Sequence, residues 1–88
     1  MYFVYMVECS DKTLYTGITT DIERRLNEHN GSKKGAKYTR LRRPVKLVYS
    51  EEYPERSSAS KREYVIKKLT RDEKLALLSQ SLDMIAKK

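Results

Sequence analysis

The chain opens with Tyr2-Phe3-Val4-Tyr5-Met6-Val7, an unbroken β-branched and aromatic run that predicts a strand. Ser10-Asp11-Lys12 supplies turn residues, and Thr13-Leu14-Tyr15-Thr16 reads as the returning strand of a hairpin. A loop of those three residues sets Cys9 opposite Thr13 and Val7 opposite Tyr15. Tyr5 and Tyr15 then project from one face as diagonal neighbours, whereas a slip of one residue would separate them. Beyond the hairpin the period changes. Thr20-Asp21-Ile22-Glu23 has the spacing of a capping box and predicts a helix to about Asn30. Gly31 and Gly35 open a loop, and Pro44 introduces a third strand, Val45 to Tyr49, with Val45, Leu47 and Tyr49 on one face. Pro54 marks the entry to a second helix, Glu55 to Leu69. A second capping box, Thr70-Arg71-Asp72-Glu73, opens a third helix with Leu75, Leu78 and Leu82 along one side. The order β-β-α-β-α-α is that of an α+β domain, a small sheet covered by helices. Residues 1–80 are read as this one domain and residues 81–88 as a short C-terminal tail.

Length adds only that 88 residues leave no room for a second domain. One cysteine, Cys9, excludes an internal disulfide and every multi-cysteine zinc site. The longest apolar run, Tyr2 to Val7, is too short to cross a bilayer, and no basic stretch precedes it as in a signal peptide. A cytoplasmic protein with no membrane partner is the resulting expectation.

Charge changes the picture more. The net charge is +7, and the segment Lys33 to Lys46, KKGAKYTRLRRPVK, holds seven basic residues and no acidic one. The remaining 12 basic residues are balanced by 12 acidic ones, so the whole excess belongs to one stretch. Lys33, Lys34, Lys37, Arg40, Arg42 and Arg43 are candidates for contact with a phosphate backbone, and Tyr38 for stacking on a base. A solvated loop that only aids solubility is the plain alternative. An anionic membrane surface fits less well, because the segment has no amphipathic apolar face.

Helical geometry sorts the charges that lie elsewhere. At about 100° per residue, Ile22 and Leu26 define the buried stripe of the first helix, with His29 between them in projection. Arg25 lies to one side of that stripe and Arg24 points to solvent, and Arg25 and His29 are i, i+4 neighbours able to act on one ligand. On the second helix Glu63 shares the face of Ala59, Ile66 and Thr70. A carboxylate on an apolar stripe is costly unless it is paired, bound to a metal or open to a cleft. The structural alternative is a salt bridge between Glu63 and Arg25. Taken together, two tyrosines, an arginine, a histidine and a glutamate make a usable phosphodiesterase set. Glutamate supplies a hard oxygen for Mg²⁺ or Mn²⁺, and arginine stabilises charge that develops in the transition state.

These residues also carry a resemblance. Phe3-Val4-Tyr5 and Tyr15-Thr16-Gly17 stand where the GIY-YIG nucleases have their two name-giving elements. The stretch Tyr15 to Leu26, with Arg25, and Ala59-Ser60-Lys61-Arg62-Glu63 resemble that family's strand-to-helix segment and its metal-binding glutamate. The likeness covers Tyr2 to about Leu78, close to the small single-domain bacterial proteins of the superfamily whose function is not assigned. It implies a three-stranded antiparallel sheet flanked by helices, and hydrolysis of DNA phosphodiesters with one divalent metal, Mg²⁺ or Mn²⁺. Glu63 would hold the metal and Arg25 would contact the scissile phosphate. Tyr5 or Tyr15 would orient or deprotonate the attacking water, with His29 assisting. Gly17 either lets the backbone pass closely beneath the site or simply ends a strand. Two departures stand out: Phe3 replaces the first glycine, and Ile18 stands where the excision-repair members carry a lysine.

The leading expectation is a metal-dependent, structure-selective DNA nuclease, its partner branched or damaged DNA. The alternatives are a nucleic-acid-binding module with this fold and little or no cleavage, and an adaptor that binds another protein through its third helix.

Overall fold

The computed structural model describes residues 1–31 and 34–86, without the side chains of 80–86. β1 (Tyr2–Glu8) is the middle strand of an antiparallel sheet, between β2 (Leu14–Thr19) and β3 (Lys46–Tyr53). Helices α1 (Ile22–Gly31), α2 (Lys37–Arg40), α3 (Arg56–Lys67) and α4 (Arg71–Ala86) flank it. This is the expected α+β class, with one extra short helix.

A middle strand is covered on both faces, which is why Tyr2 to Val7 reads as an unbroken apolar run and not as an alternation. Val4 and Met6 bury on one side against Ala59 and Ile66 of α3. Tyr5 and Val7 bury on the other, with Cys9, Val45 and Leu26 of α1. The hairpin has the expected register. Val7 pairs with Tyr15, Tyr5 pairs with Gly17, and the Cys9 amide donates to the Thr13 carbonyl at 2.9 Å. Lys12 closes the turn in the left-handed region at φ 70°, the usual last step of a three-residue hairpin loop. Asp11 Oδ1 ties the exit by accepting from the Thr13 amide at 3.1 Å and its hydroxyl at 2.6 Å.

Other expectations need correction. α1 is capped one residue later than the capping box predicts: Asp21 Oδ1 accepts the Arg24 amide at 3.0 Å, and Thr19 rather than Thr20 braces Asp21. β3 starts at Lys46 and runs four residues past Tyr49, and Val45, Leu47 and Tyr49 do not share a face. A bulge opposite Met6 and Val7 inserts Val48 and switches sides, so Val45 joins the α1 core and Tyr49 the α3 core. α3 ends at Lys67, two residues short of Leu69. The second capping box does form, with the Glu73 amide donating to Thr70 Oγ1 at 3.2 Å and the Thr70 amide to Glu73 Oε1 at 2.9 Å. On α4 the core-facing residues are Leu77 and Leu78, while Leu75 is exposed; Leu82 lies outside the described side chains. α4 continues to Ala86, through most of the stretch set down as a tail.

One polar cluster fixes α3 to β3. Glu51 accepts from Arg62 at 2.9 and 3.1 Å, from Tyr53 at 2.6 Å, and from Tyr49. Burial alone would raise the Glu51 carboxyl, but those hydrogen bonds, Arg62 first, hold it below the usual carboxylate range. Because Arg62 precedes Glu63, this clamp also sets the rotation of α3 and hence where Glu63 faces.

Candidate active site

Gly17 stands directly across the ladder from Tyr5. The Tyr5 ring folds over it: a Cβ at residue 17 would lie 2.5 Å from the phenol oxygen and 2.7 Å from the carbon bearing it. The backbone at Gly17 is ordinary in φ, so what the glycine supplies is space. Through that space Tyr5 Oη comes to 2.7 Å from Nε2 of His29, a residue on the inner face of α1 with no solvent exposure. Nδ1 of the same ring is 2.9 Å from Thr39 Oγ1, and the Thr39 hydroxyl is 2.9 Å from the Ala36 carbonyl. A hydroxyl has one proton. Donated to Ala36, it leaves Thr39 to accept from Nδ1–H, and Nε2 to accept from Tyr5. The Ala36 amide also points at Nδ1, from 3.4 Å, a longer contact that only the other tautomer could accept, so the assignment follows the shorter Thr39 and Tyr5 bonds.

Electrostatics sets the charge of the ring. Burial, and then the Arg25 charge, push His29 down to about 4, so its imidazole is neutral at pH 7. Burial also pushes the Tyr5 phenol up to about 12, against the hydrogen bond and charge of Arg25 and with Tyr15 and Glu63 adding to the rise. The resting pair is a neutral phenol donating to a neutral imidazole.

Arg25 lies half-buried beside this pair. Its Nη1 donates to Glu28 Oε1 at 3.0 Å and to the Lys34 carbonyl at 2.7 Å. The expected structural alternative, a bridge from Arg25 to Glu63, does not form. Arg25 pairs with Glu28 three residues on, and Glu63 pairs with Lys67 four residues on at 3.4 Å. Each charge finds its partner on its own helix at i+3 or i+4 spacing, so neither has to cross the sheet. Glu63 keeps about a fifth of its side chain exposed. Among the described residues no group of three or more His, Cys, Asp or Glu could hold a metal ion. One half-buried carboxylate does fit a hard cation that keeps its waters and takes its remaining oxygens from substrate phosphate, as Mg²⁺ does.

Tyr15 takes a different position from Tyr5. Its ring meets His29 edge-on at 5.4 Å and stacks on Tyr38 at 5.9 Å, and the Arg42 guanidinium sits 3.9 Å from the Tyr38 centroid. Tyr15 is therefore one step of an aromatic ladder leading from His29 to the surface.

Residues 1–76 match the GIY-YIG catalytic domain. The chain belongs to the GIY-YIG family. It is 61% identical over 80 residues to a UPF0213 protein of Desulfotalea psychrophila, covering 91% of this chain and 73% of that one. It is 52% identical over 79 residues to a UPF0213 protein of Staphylococcus epidermidis, covering 90% and 95%. Among solved structures it resembles the solution NMR structure of a UPF0213 protein from Bacillus halodurans, with TM-score 0.59, 46% identity, and 91% and 85% of the two chains covered. A solution NMR structure from E. faecalis gives TM-score 0.60 at 44% identity, covering 99% and 88%. Membership of this nuclease-domain family supports a nuclease-like role with nucleic acid as substrate.

Around the GIY-YIG site the basic segment divides by task. Lys34, Lys37 and Arg40 are exposed, the last two on α2, and Tyr38 is partly exposed between them. Arg42 is held over Tyr38 by Asp11 at 3.0 Å and by the Tyr38 carbonyl at 2.8 Å. Arg43 donates to the carbonyls of His29 and Glu28, where it satisfies the end of α1. Lys33 lies outside the described residues. Three contributors escaped the sequence reading. Thr39 orients His29. Gly35 lets the loop cross α1 so closely that a Cβ there would stand 2.6 Å from the Glu28 carbonyl. Asn30 pins the start of β3, its amide and carbonyl bonding the Val45 backbone at 2.9 and 2.7 Å. The asparagine at a helix end before Gly31 was a readable signal, whereas nothing marked Thr39 within a basic loop.

Proposed function

We propose that this chain is a metal-dependent endonuclease that hydrolyses DNA phosphodiesters and selects by DNA structure rather than by base sequence. The observation that carries the proposal is the Tyr5 phenol, held 2.7 Å from a buried neutral His29 with Arg25 beside it and the Glu63 charge near enough to add slightly to the rise in its pKa. A phenol with a pKa near 12 is ionised to only about one part in 10⁵ at pH 7, so Tyr5 is a poor base alone. It acts as a relay instead: as the attacking water gives its proton to Tyr5 Oη, the phenol proton passes to His29 Nε2, which its low pKa makes a weak acceptor but keeps wholly in the free-base form at pH 7. The water oxygen bonds to phosphorus, and the departing oxygen is protonated from solvent. Arg25 exchanges its contacts with Glu28 and Lys34 for the scissile phosphate and stabilises the charge gathering there. Glu63 would hold Mg²⁺ or Mn²⁺, which supplies Lewis-acid polarisation of the phosphate.

Structure selectivity is supported by the surface. Lys34, Lys37 and Arg40 lie exposed in a short segment suited to backbone contacts, and such contacts position a duplex without reading its sequence. A cytoplasmic setting belongs to the same reading. The second reading, a binding module with little cleavage, is favoured by the absence, among the described residues, of any group of three or more His, Cys, Asp or Glu able to hold a metal ion.

Cleavage of labelled branched, flapped and linear DNA with Mg²⁺, Mn²⁺ or EDTA, by wild type and Glu63→Ala, tests the proposal. The expected result is metal-dependent cutting lost in the variant while DNA binding is kept. Equal gel shifts with no cutting by either protein would establish the binding module.

A further inference from the structure

A cleft of about 310 Å³ opens where the end of β2 meets the start of α1 and the start of α3, lined by Ile18, Thr20, Arg24, Arg25, Glu28 and Arg56 among others. Glu28 is already paired with Arg25. Arg24 and Arg56 remain, both exposed, and among the described residues neither has an ion-pair partner. They come from elements 32 positions apart in the chain and meet on one concavity. Two guanidiniums free of direct ion pairs on one concave surface favour an anion, and their planar forks suit phosphate oxygens. The neighbouring depression on the outer side of α1 has the opposite sign, with Asp21, Glu23 and Glu28 against Arg24 alone, so a phosphate is directed to the first cleft.

Arg25 ties this cleft to the rest of the surface. It lines the cleft, faces the Tyr5 phenol, and donates to the Lys34 carbonyl of the basic segment at 2.7 Å. Arg25 therefore touches both the basic segment and the cleft that holds Arg24 and Arg56. We infer that Arg24 and Arg56 form a second phosphate subsite, which holds the substrate strand on the side of the cut away from the basic segment. This rests on the nuclease reading of the Arg25 site. It makes the strand path bipartite: phosphates contact α2 and its loop, then Arg25, then the β2–α1–α3 cleft. The cleft also offers the charge that Ile18 itself cannot supply at this position.

The test is the salt dependence of binding to a short fluorescein-labelled DNA duplex in EDTA, where no cleavage intervenes. Each phosphate contact contributes about 0.9 to the slope of log K against log salt on duplex DNA. Arg24→Gln/Arg56→Gln is expected to lower that slope by about 1.8 relative to wild type, and Arg24→Lys/Arg56→Lys to restore most of it. Both side chains are exposed, so thermal melts of the variants should match wild type. An unchanged slope in the glutamine pair, with wild type binding normally, overturns the subsite and leaves the nuclease reading standing. Wild type that fails to bind DNA at all overturns both.

Discussion

Gly17 and Tyr5 act as one unit at the scale of single residues. Gly17→Ala places a methyl 2.5 Å from the Tyr5 oxygen, so the phenol must leave His29. Cleavage should fall about 100-fold, the size of a lost general acid–base contribution, while the melting temperature falls by only a few degrees. A kinetic assay beside a thermal melt separates the two effects; a variant that melts lower yet cuts normally would mean that the relay is not used. His29 gives a second prediction, with its sign fixed by burial. Its folded pKa, about 4, lies below the unfolded value of about 6.5, so the stability it contributes is complete above pH 6.5. That stability is lost as pH falls through 4, by roughly 3 kcal/mol in total. Urea melts at pH 7, 5.5 and 4 should show the decline, and His29→Gln should flatten it. Cleavage should likewise fall away in acid near pH 4 and not near 6.5.

Elements differed in how much of them the sequence revealed. β1 and the hairpin register were legible because an apolar run and a three-residue turn are local signals, and they brought Tyr5 and Tyr15 to one face. The inward side of α1 was legible too, since Ile22 and Leu26 set its phase and Arg25 and His29 follow from it. α2 was not: it is one turn, held by Thr39 bonding to His29 rather than by any propensity of Lys37-Tyr38-Thr39-Arg40. Nor was the bulge in β3, because an inserted residue leaves no mark in composition, and the Ser50-Glu51-Glu52 continuation reads as loop until Arg62 is seen to bind Glu51. Glu63 shares a helix face with buried Ala59 and Ile66, but the alternative bridge to Arg25 was not to be found, since Lys67 on its own helix pairs with it instead. The junction of α1 and β3 yields a prediction at this scale. Asn30→Ala strips two hydrogen bonds from the buried Val45 backbone and should cost about 2 kcal/mol, read as a lower urea midpoint with an unchanged slope. An unchanged midpoint would show that this pin carries no stability.

At the scale of the whole molecule, the charge excess and the site lie together. Arg25 touches the basic segment through the Lys34 carbonyl and lines the cleft that holds Arg24 and Arg56, while Tyr5, Tyr15 and His29 meet where β1, β2 and α1 come together. The molecule is 36 Å in its longest dimension, so one copy covers about ten base pairs at 3.4 Å each. Hydroxyl-radical footprinting should show protection no longer than that, and a longer footprint would require more than one copy. No helix among the described residues is long and apolar enough to cross a membrane. In the proposed mechanism Tyr5, and not Tyr15, is the phenol that reacts. Single-turnover cleavage by wild type, Tyr5→Phe and Tyr15→Phe in Mg²⁺, at equal DNA occupancy, tests it most directly. Tyr5→Phe is expected to lose at least about 100-fold while Tyr15→Phe keeps most of the rate. A Tyr5→Phe enzyme that cuts as fast as wild type would contradict it.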